Sequence, residues 1–308
     1  MQRVAPFIAI FSVASCGCCC GAFSEEAPTA TLRELRAGFQ TRVFYDDTSR
    51  EPAPEPPPEL FDRVRYRAPL GENAAYVSPV REGERRPAIV WIAGGLDWGI
   101  SEGAWLPASR EDDQSARAFR DAGIALMLPS LRGSNDNPGR NECFFGEVED
   151  VIAAATYLAT RPDVDPDRIY LGGHSTGGTL AVLVAASTDR FRAVFAFGPV
   201  SDPRSYGSSG CLPLGASDQE VAVRVPIHFI DEVSTPTFLI EGSVNSNGPS
   251  VRALHAARET APVQAVLVPG MDHFSVLAPG TEIVAAAILG DTGARAQLRI
   301  TARMIAER

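Results

Sequence analysis

The ten residues Ile169-Tyr170-Leu171-Gly172-Gly173-His174-Ser175-Thr176-Gly177-Gly178 constrain this chain more than any others. An apolar run leads into Gly-x-Ser-x-Gly, and a helix-forming stretch over 176–186 follows. That order describes a strand that ends in a very sharp turn and reverses into a helix. Side chains two residues to either side of the serine would collide at such a turn, so Gly173 and Gly177 are a steric requirement. The turn lifts the Ser175 hydroxyl clear of the sheet and points the N-terminus of the following helix at it. A chain built around it must supply a sheet with helices packed close by.

The remaining pattern supplies one. Residues 88–93 (AIVWIA) form a continuous apolar run ending in Gly94-Gly95, as a strand buried on both faces requires. Runs at 124–128, 168–171, 193–197, 237–240 and 265–268 predict further strands. Helical spacing at 112–121, 146–159, 176–186, 250–259 and 282–289 predicts the helices between and after them. Two earlier runs, 61–66 and 74–80, predict a hairpin turning near Gly71. Alternating strands and helices imply right-handed crossovers and an α/β fold, a mostly parallel central sheet with helices on both faces. A site is then expected at the carboxyl ends of the strands. The 308 residues suit one large domain of this kind, and no internal repeat is visible.

Charge narrows the chemistry. There are 28 basic and 38 acidic side chains, a net charge of −10, so the basic footprint of a nucleic-acid binder is missing. Every basic residue is arginine. That excludes a P-loop lysine, a Schiff-base lysine and a Ser-Lys dyad. No metal or organic cofactor is implied.

The N-terminus reads as an export signal. A positive Met1-Gln2-Arg3 precedes an apolar stretch at 4–14, too short to span a bilayer. Val13-Ala14-Ser15-Cys16 followed by Gly17 resembles a bacterial lipobox, with Cys16 the lipidated residue. Cleavage near Ala22 as an ordinary signal peptide is the alternative. The expectation is a signal peptide over 1–15 and a protein exported to the bacterial cell envelope, periplasm or outer membrane, tied to the membrane by a lipid anchor. Residues 16–60 read as a disordered, Pro-rich tether around Glu51-Pro52-Ala53-Pro54-Glu55-Pro56-Pro57-Pro58, with one short helix near 31–39. The catalytic domain is then 61–308. Cys16, Cys18, Cys19 and Cys20 sit at the signal boundary, without the histidines a metal cluster would bring. Cys143 and Cys211 fall in loops at the same edge of the expected sheet, and in an oxidising compartment they are expected to pair; free thiols are the alternative.

A serine nucleophile needs a base. Of the four histidines, His174 is beside Ser175 and reads as packing, His228 precedes a strand and His255 lies on a helix. His273, in Pro269-Gly270-Met271-Asp272-His273-Phe274 after the last strand, follows Ser175 in the Ser…His order of this type of fold. The oxyanion needs backbone donors: the N–H of Thr176 and one from the Gly94-Gly95-Leu96 loop, at Gly95 or Leu96.

With these residues in place, residues 61–289 resemble an α/β-hydrolase, closest to the catalytic domain of the prolyl oligopeptidase family. Pro226-Ile227-His228-Phe229-Ile230-Asp231, Thr235-Pro236-Thr237-Phe238-Leu239-Ile240 and Gly146-Glu147-Val148-Glu149-Asp150-Val151 add weaker likenesses. The resemblance implies a serine hydrolase that cleaves ester or amide bonds through an acyl-enzyme. It also implies an aspartate a few residues after the strand ending Ile240-Glu241-Gly242, where this chain has Asn245. Three readings stand: Glu241 is the acid, Asp202 is, or the site is a dyad with Asn245. The last would make a catalytically impaired domain, a surface-anchored binding module. The family's peptidases carry a propeller domain, and fewer than 50 residues separate Cys16 from Phe61. Small esters or short acylated peptides are the expected substrates. Residues 98–105 (WGISEGAW) are expected to line an acyl pocket, form a lid or pack at the surface, and Arg132 is the nearest cation.

Overall fold

The computed structural model describes residues 29–46 and 48–308; the expected signal peptide and Cys16, Cys18, Cys19 and Cys20 lie outside the described residues. The strands are β1 (Asp62–Ala68), β2 (Gly71–Val77), β3 (Arg86–Ile92), β4 (Ala125–Pro129), β5 (Val164–His174), β6 (Val194–Phe197), β7 (Thr237–Gly242) and β8 (Val263–Val268). The helices are α1 (Leu32–Arg36), α2 (Arg117–Asp121), α3 (Glu147–Ala159), α4 (Thr176–Ser187), α5 (Asp218–Ala222), α6 (Gly248–Ala257), α7 (Leu277–Gly290) and α8 (Ala302–Ala306). All eight strands join one sheet in the order β1-β2-β4-β3-β5-β6-β7-β8. β1 and β2 are the expected hairpin, β2 meets β4 antiparallel, and β3 to β8 run parallel.

Two cores explain the apolar runs. Along β3, Ala88, Val90 and Ile92 enter one core with Val151 of α3, Leu180 of α4 and Leu254 of α6. Ile89 and Trp91 enter the other with Phe119 of α2, Val284 of α7 and Ile305 of α8. Strand residues face alternate sides, so a strand covered twice is apolar throughout. α4 is buried almost all round, which removes any polar stripe from its sequence. Among the described residues, no helix is long and apolar enough to cross a membrane.

Two departures have local causes. The helix expected over 112–121 breaks into a 3-10 turn, Arg110–Asp112, and the short α2. Between them Asp113 accepts hydrogen bonds from the Ser115 N–H (3.1 Å) and hydroxyl (2.6 Å), and Ala116 takes a left-handed φ of 53°. Such side-chain bonds compete with helix bonds for the backbone. α7 begins at Leu277, ahead of the expected 282, because Pro279 is tolerated in a first turn, where its missing N–H would have no partner.

The expected disordered tether is corrected from residue 29 onward, because this segment is docked on the domain. Leu32 is fully buried and its N–H donates to the Glu232 carboxylate (3.1 Å). The Thr41 hydroxyl and Arg42 N–H donate to Glu220 (2.8 and 2.6 Å), and Tyr45 bridges to Asn141. Ala53, inside the Pro-rich run, is buried, and the Tyr76 hydroxyl donates to the Pro54 carbonyl (2.6 Å). A proline-rich chain lacks donors but keeps its carbonyls, and here the domain supplies the donors.

Candidate active site

β5 gives way to α4 at Ser175, whose φ of 56° and ψ of −115° are a backbone strain that a surrounding structure must enforce. The enforcement is visible. The Ser175 N–H donates to the Phe197 carbonyl at the end of β6 (2.8 Å), and its own carbonyl accepts from the Thr179 N–H (2.9 Å). A Cβ on Gly173 would lie 2.5 Å from the Gly177 carbonyl oxygen, and one on Gly177 would lie 2.6 Å from that of Ala93. Gly178 has the same constraint against the Phe197 carbonyl.

Thr176 is the first residue of α4, so its N–H has no partner within the helix. Its hydroxyl donates to the Gly95 carbonyl, which ties the loop after β3 to the elbow. Gly95 has φ 89°, and Asn141 donates its side-chain amide to the Leu96 carbonyl (2.6 Å). Thr176, Gly95 and Leu96 are thus gathered in one place.

His273 follows β8. Its Nδ1–H donates to Glu241 Oε2 (2.8 Å), which leaves Nε2 as the acceptor nitrogen. Glu241, at the end of β7, is completely buried, and its carboxylate also accepts the N–H groups of Gly242 (2.7 Å) and Asn247 (3.1 Å). The alternatives for the acid stand elsewhere. Asp202 caps the 3-10 stretch Pro203–Ser209 and pairs with Arg204 (2.7 Å). Asn245 is exposed, with φ 45°. Asp272 accepts from the Phe274 and Ser275 backbone (3.0 and 2.8 Å).

Two neighbours, Gly198 and Tyr206, have no assigned role in the sequence reading, and a third, His174, packs as expected. Gly198, with φ 58°, presses its backbone against the pair: a Cβ there would lie 2.5 Å from His273 Cε1 and 2.6 Å from Glu241 Oε2. A Gly-Pro after an apolar strand was the only signal for it. His174 donates from Nε2 to the His273 carbonyl (3.1 Å), and the two rings are 4.5 Å apart. Burial first, and the neighbouring His273 second, lower its pKa to about 3, so it stays neutral. Tyr206 reaches the elbow from beyond β6, with its hydroxyl 2.9 Å from that of Thr179. Arg132 is not a free cation: it is buried in a two-pronged pair with Asp150 (3.0 and 2.8 Å) and a contact to Glu142 (3.0 Å).

Between the ends of β3 and β4 and the segment 98–104 lies a cavity of about 260 Å³. Trp98, Ile100, Ser101 and Ala104 line it, together with Ile92 and Ala93, which lead into Gly94 and Gly95. Cys143 and Cys211 are paired, with Sγ atoms 2.08 Å and Cα atoms 5.6 Å apart. Among the described residues no group of three or more His, Cys, Asp or Glu is arranged to hold a metal ion.

Sheet order, elbow and two helical layers make this an α/β-hydrolase fold. Residues 111–280 match the prolyl oligopeptidase family, and since that is more than half of its length the chain belongs to this family. An uncharacterized peptidase, YtmA, of Bacillus subtilis is 30% identical over 142 residues, 42% of this chain and 55% of that protein. A thiohydrolase, apmlB, of Arthrinium phaeospermum is 30% identical over 132 residues, 41% of this chain and 43% of that one. A puromycin-hydrolyzing peptidase of Mycobacterium tuberculosis superposes with a TM-score of 0.62 at 23% identity, over 78% of this chain and 40% of its own. The chain spans about half the length of the relatives it matches.

Proposed function

We propose that the protein is a serine hydrolase that cleaves ester or amide bonds of small acyl substrates through Ser175, His273 and Glu241. The observation that carries this reading is the 2.8 Å bond from His273 Nδ1 to a fully buried carboxylate, at the same sheet edge as a strained serine elbow. Ser175 attacks the carbonyl carbon and its proton passes to His273 Nε2. Glu241 holds the imidazole and balances its charge. The N–H of Thr176 and that of Gly95 or Leu96 receive the oxyanion. The leaving group takes the proton from His273, and water then releases the acyl group from Ser175 by the same steps. Membership in the prolyl oligopeptidase family, and relatives described as peptidase and thiohydrolase, support acyl transfer as the reaction class. Short nitrophenyl esters are the assay, and turnover by the wild type with none by Ser175→Ala is the expected result. Equal rates in the two would end the reading.

The same proposal includes export and anchoring through Cys16. The paired Cys143 and Cys211 favour an oxidising compartment. Cells fed labelled palmitate should label the wild-type chain and leave Cys16→Ser unlabelled; an absence of label on both would refute the anchor.

A further inference from the structure

Tyr206 lies in the 3-10 stretch Pro203–Ser209, beyond β6. Its ring stacks on Phe144, with planes 4° apart and centroids 6.3 Å apart, and Phe144 meets Trp98 edge-on at 5.0 Å. Phe144 follows Cys143 directly, so the bridge to Cys211 ties the segments bearing both rings together. The phenol is therefore held in place from behind, with its hydroxyl toward the elbow. Thr179 Oγ1 is 2.9 Å away, and the Ser175 side chain lies near enough to lower the phenol's pKa. Burial raises the phenol's pKa, against these two hydroxyls, so Tyr206 keeps its proton at neutral pH.

Counting protons distinguishes two arrangements of these three hydroxyls. Thr179 Oγ1 accepts the Val200 N–H (2.9 Å) and has one proton to give, either to the Ser175 carbonyl (3.2 Å) or to Tyr206 (2.9 Å). When it goes to Tyr206, the Tyr206 proton is free for Ser175 Oγ, and the serine keeps its own proton for His273. In the reverse arrangement the serine proton is taken by Tyr206 and withheld from the base.

We propose that Tyr206 is a positioning residue for the nucleophile, donating its hydroxyl proton in a hydrogen bond to Ser175 Oγ so that the serine proton is directed at His273. The inference rests on the serine hydrolase reading above. No proton leaves Tyr206 in either half-reaction. As the Oγ–carbon bond forms, the serine proton passes to His273 Nε2. As that bond breaks in deacylation, Oγ takes a proton back from His273, and Tyr206 donates to Oγ in both states.

Tyr206→Phe removes the hydroxyl and keeps the ring on Phe144. With the full chain and short nitrophenyl esters, kcat should fall about tenfold at unchanged KM, the loss expected for one hydrogen bond to a reacting atom. Fluorophosphonate labelling of Ser175 should slow by a similar factor. Thr179→Val, which leaves Tyr206 without its incoming proton, should fall between the two. An unchanged kcat in Tyr206→Phe overturns the proposal, and so does a rise in KM alone, which would make Tyr206 a wall of the substrate pocket. If the wild type is active, Ser175→Ala is dead and Tyr206→Phe is normal, only this proposal falls. If Ser175→Ala is as active as the wild type, the hydrolase reading falls and takes this one with it.

Discussion

One methylene separates glutamate from aspartate, and at Glu241 it changes where on the strand an acid can stand. The longer side chain reaches His273 from the end of β7 itself, with backbone N–H donors of Gly242 and Asn247 fixing the carboxylate. Glu241→Gln keeps the shape and removes the charge. We expect kcat to fall by on the order of 10³–10⁴, with Asp202→Asn close to wild type, as measured by ester turnover. A Gln variant within a few-fold of wild type would remove Glu241 from the mechanism. A second carboxyl, Glu147, is buried near Arg132, and burial, which outweighs the arginine, raises its pKa to about 7. The unfolded chain releases that proton near the ordinary carboxyl value, so between there and about pH 7 the unfolded state binds fewer protons. Stability contributed at this site therefore falls as pH rises through that window and stays low above it. Glu147→Gln should melt progressively higher than wild type as pH goes from 5 to 8; a constant difference would contradict this. Ser175 and His273 could be read from the sequence because backbone sterics and chain order mark them. The acid was left three ways open because its identity depends on how far a loop swings. Gly198 and Tyr206 come from a segment beyond β6, distant in sequence from His273, and only packing brings them to the site.

Elements supply the precision that single residues lack. Gly198 directly follows β6 and fills the space behind the imidazole with backbone alone. Gly198→Ala would both strain a left-handed φ and push His273 from Glu241. We expect a folded protein with kcat down at least a hundredfold, and a normal rate would show that the imidazole has slack. The disulfide joins the loop after β4 to the one after β6. Its sequence separation of 68 implies about 4 kcal/mol of stabilisation by the chain-entropy model. A denaturant midpoint that does not move on reduction would argue against that contribution. Strands and long helices were legible because coverage on both faces leaves an apolar signature. The 3-10 stretches and the short α5 and α8 were not, since a single turn carries too little periodicity to register.

At the scale of the molecule, the N-terminal segment acts as a strap. Arg36 lies over the Phe145 ring, 4.7 Å from its centroid, and burial lowers its pKa to about 10. Arg224 donates to the Cys143 carbonyl (2.7 Å) from the helix α5 side. Starting the chain at Leu60 should therefore lower the melting temperature by several degrees, and an unchanged value would restore the tether picture. Acid should unfold the domain in a defined window. Burial would raise the carboxyls of Asp163 and Asp291, yet Arg161 and Arg86 hold the first, and Arg192 and Tyr170 the second, at about 2. Their stabilisation is complete above the unfolded value of 3.8 and is lost as pH falls from there toward 2. The Cys143–Cys211 bridge has one more consequence. It closes α3, β5, α4 and β6 into a covalent macrocycle that contains Ser175, while Glu241 and His273 hang on the open chain beyond it. A protease cut inside the ring leaves one covalent molecule until it is reduced. A cut between 212 and 240 yields two fragments at once, with the nucleophile on one and its base and acid on the other.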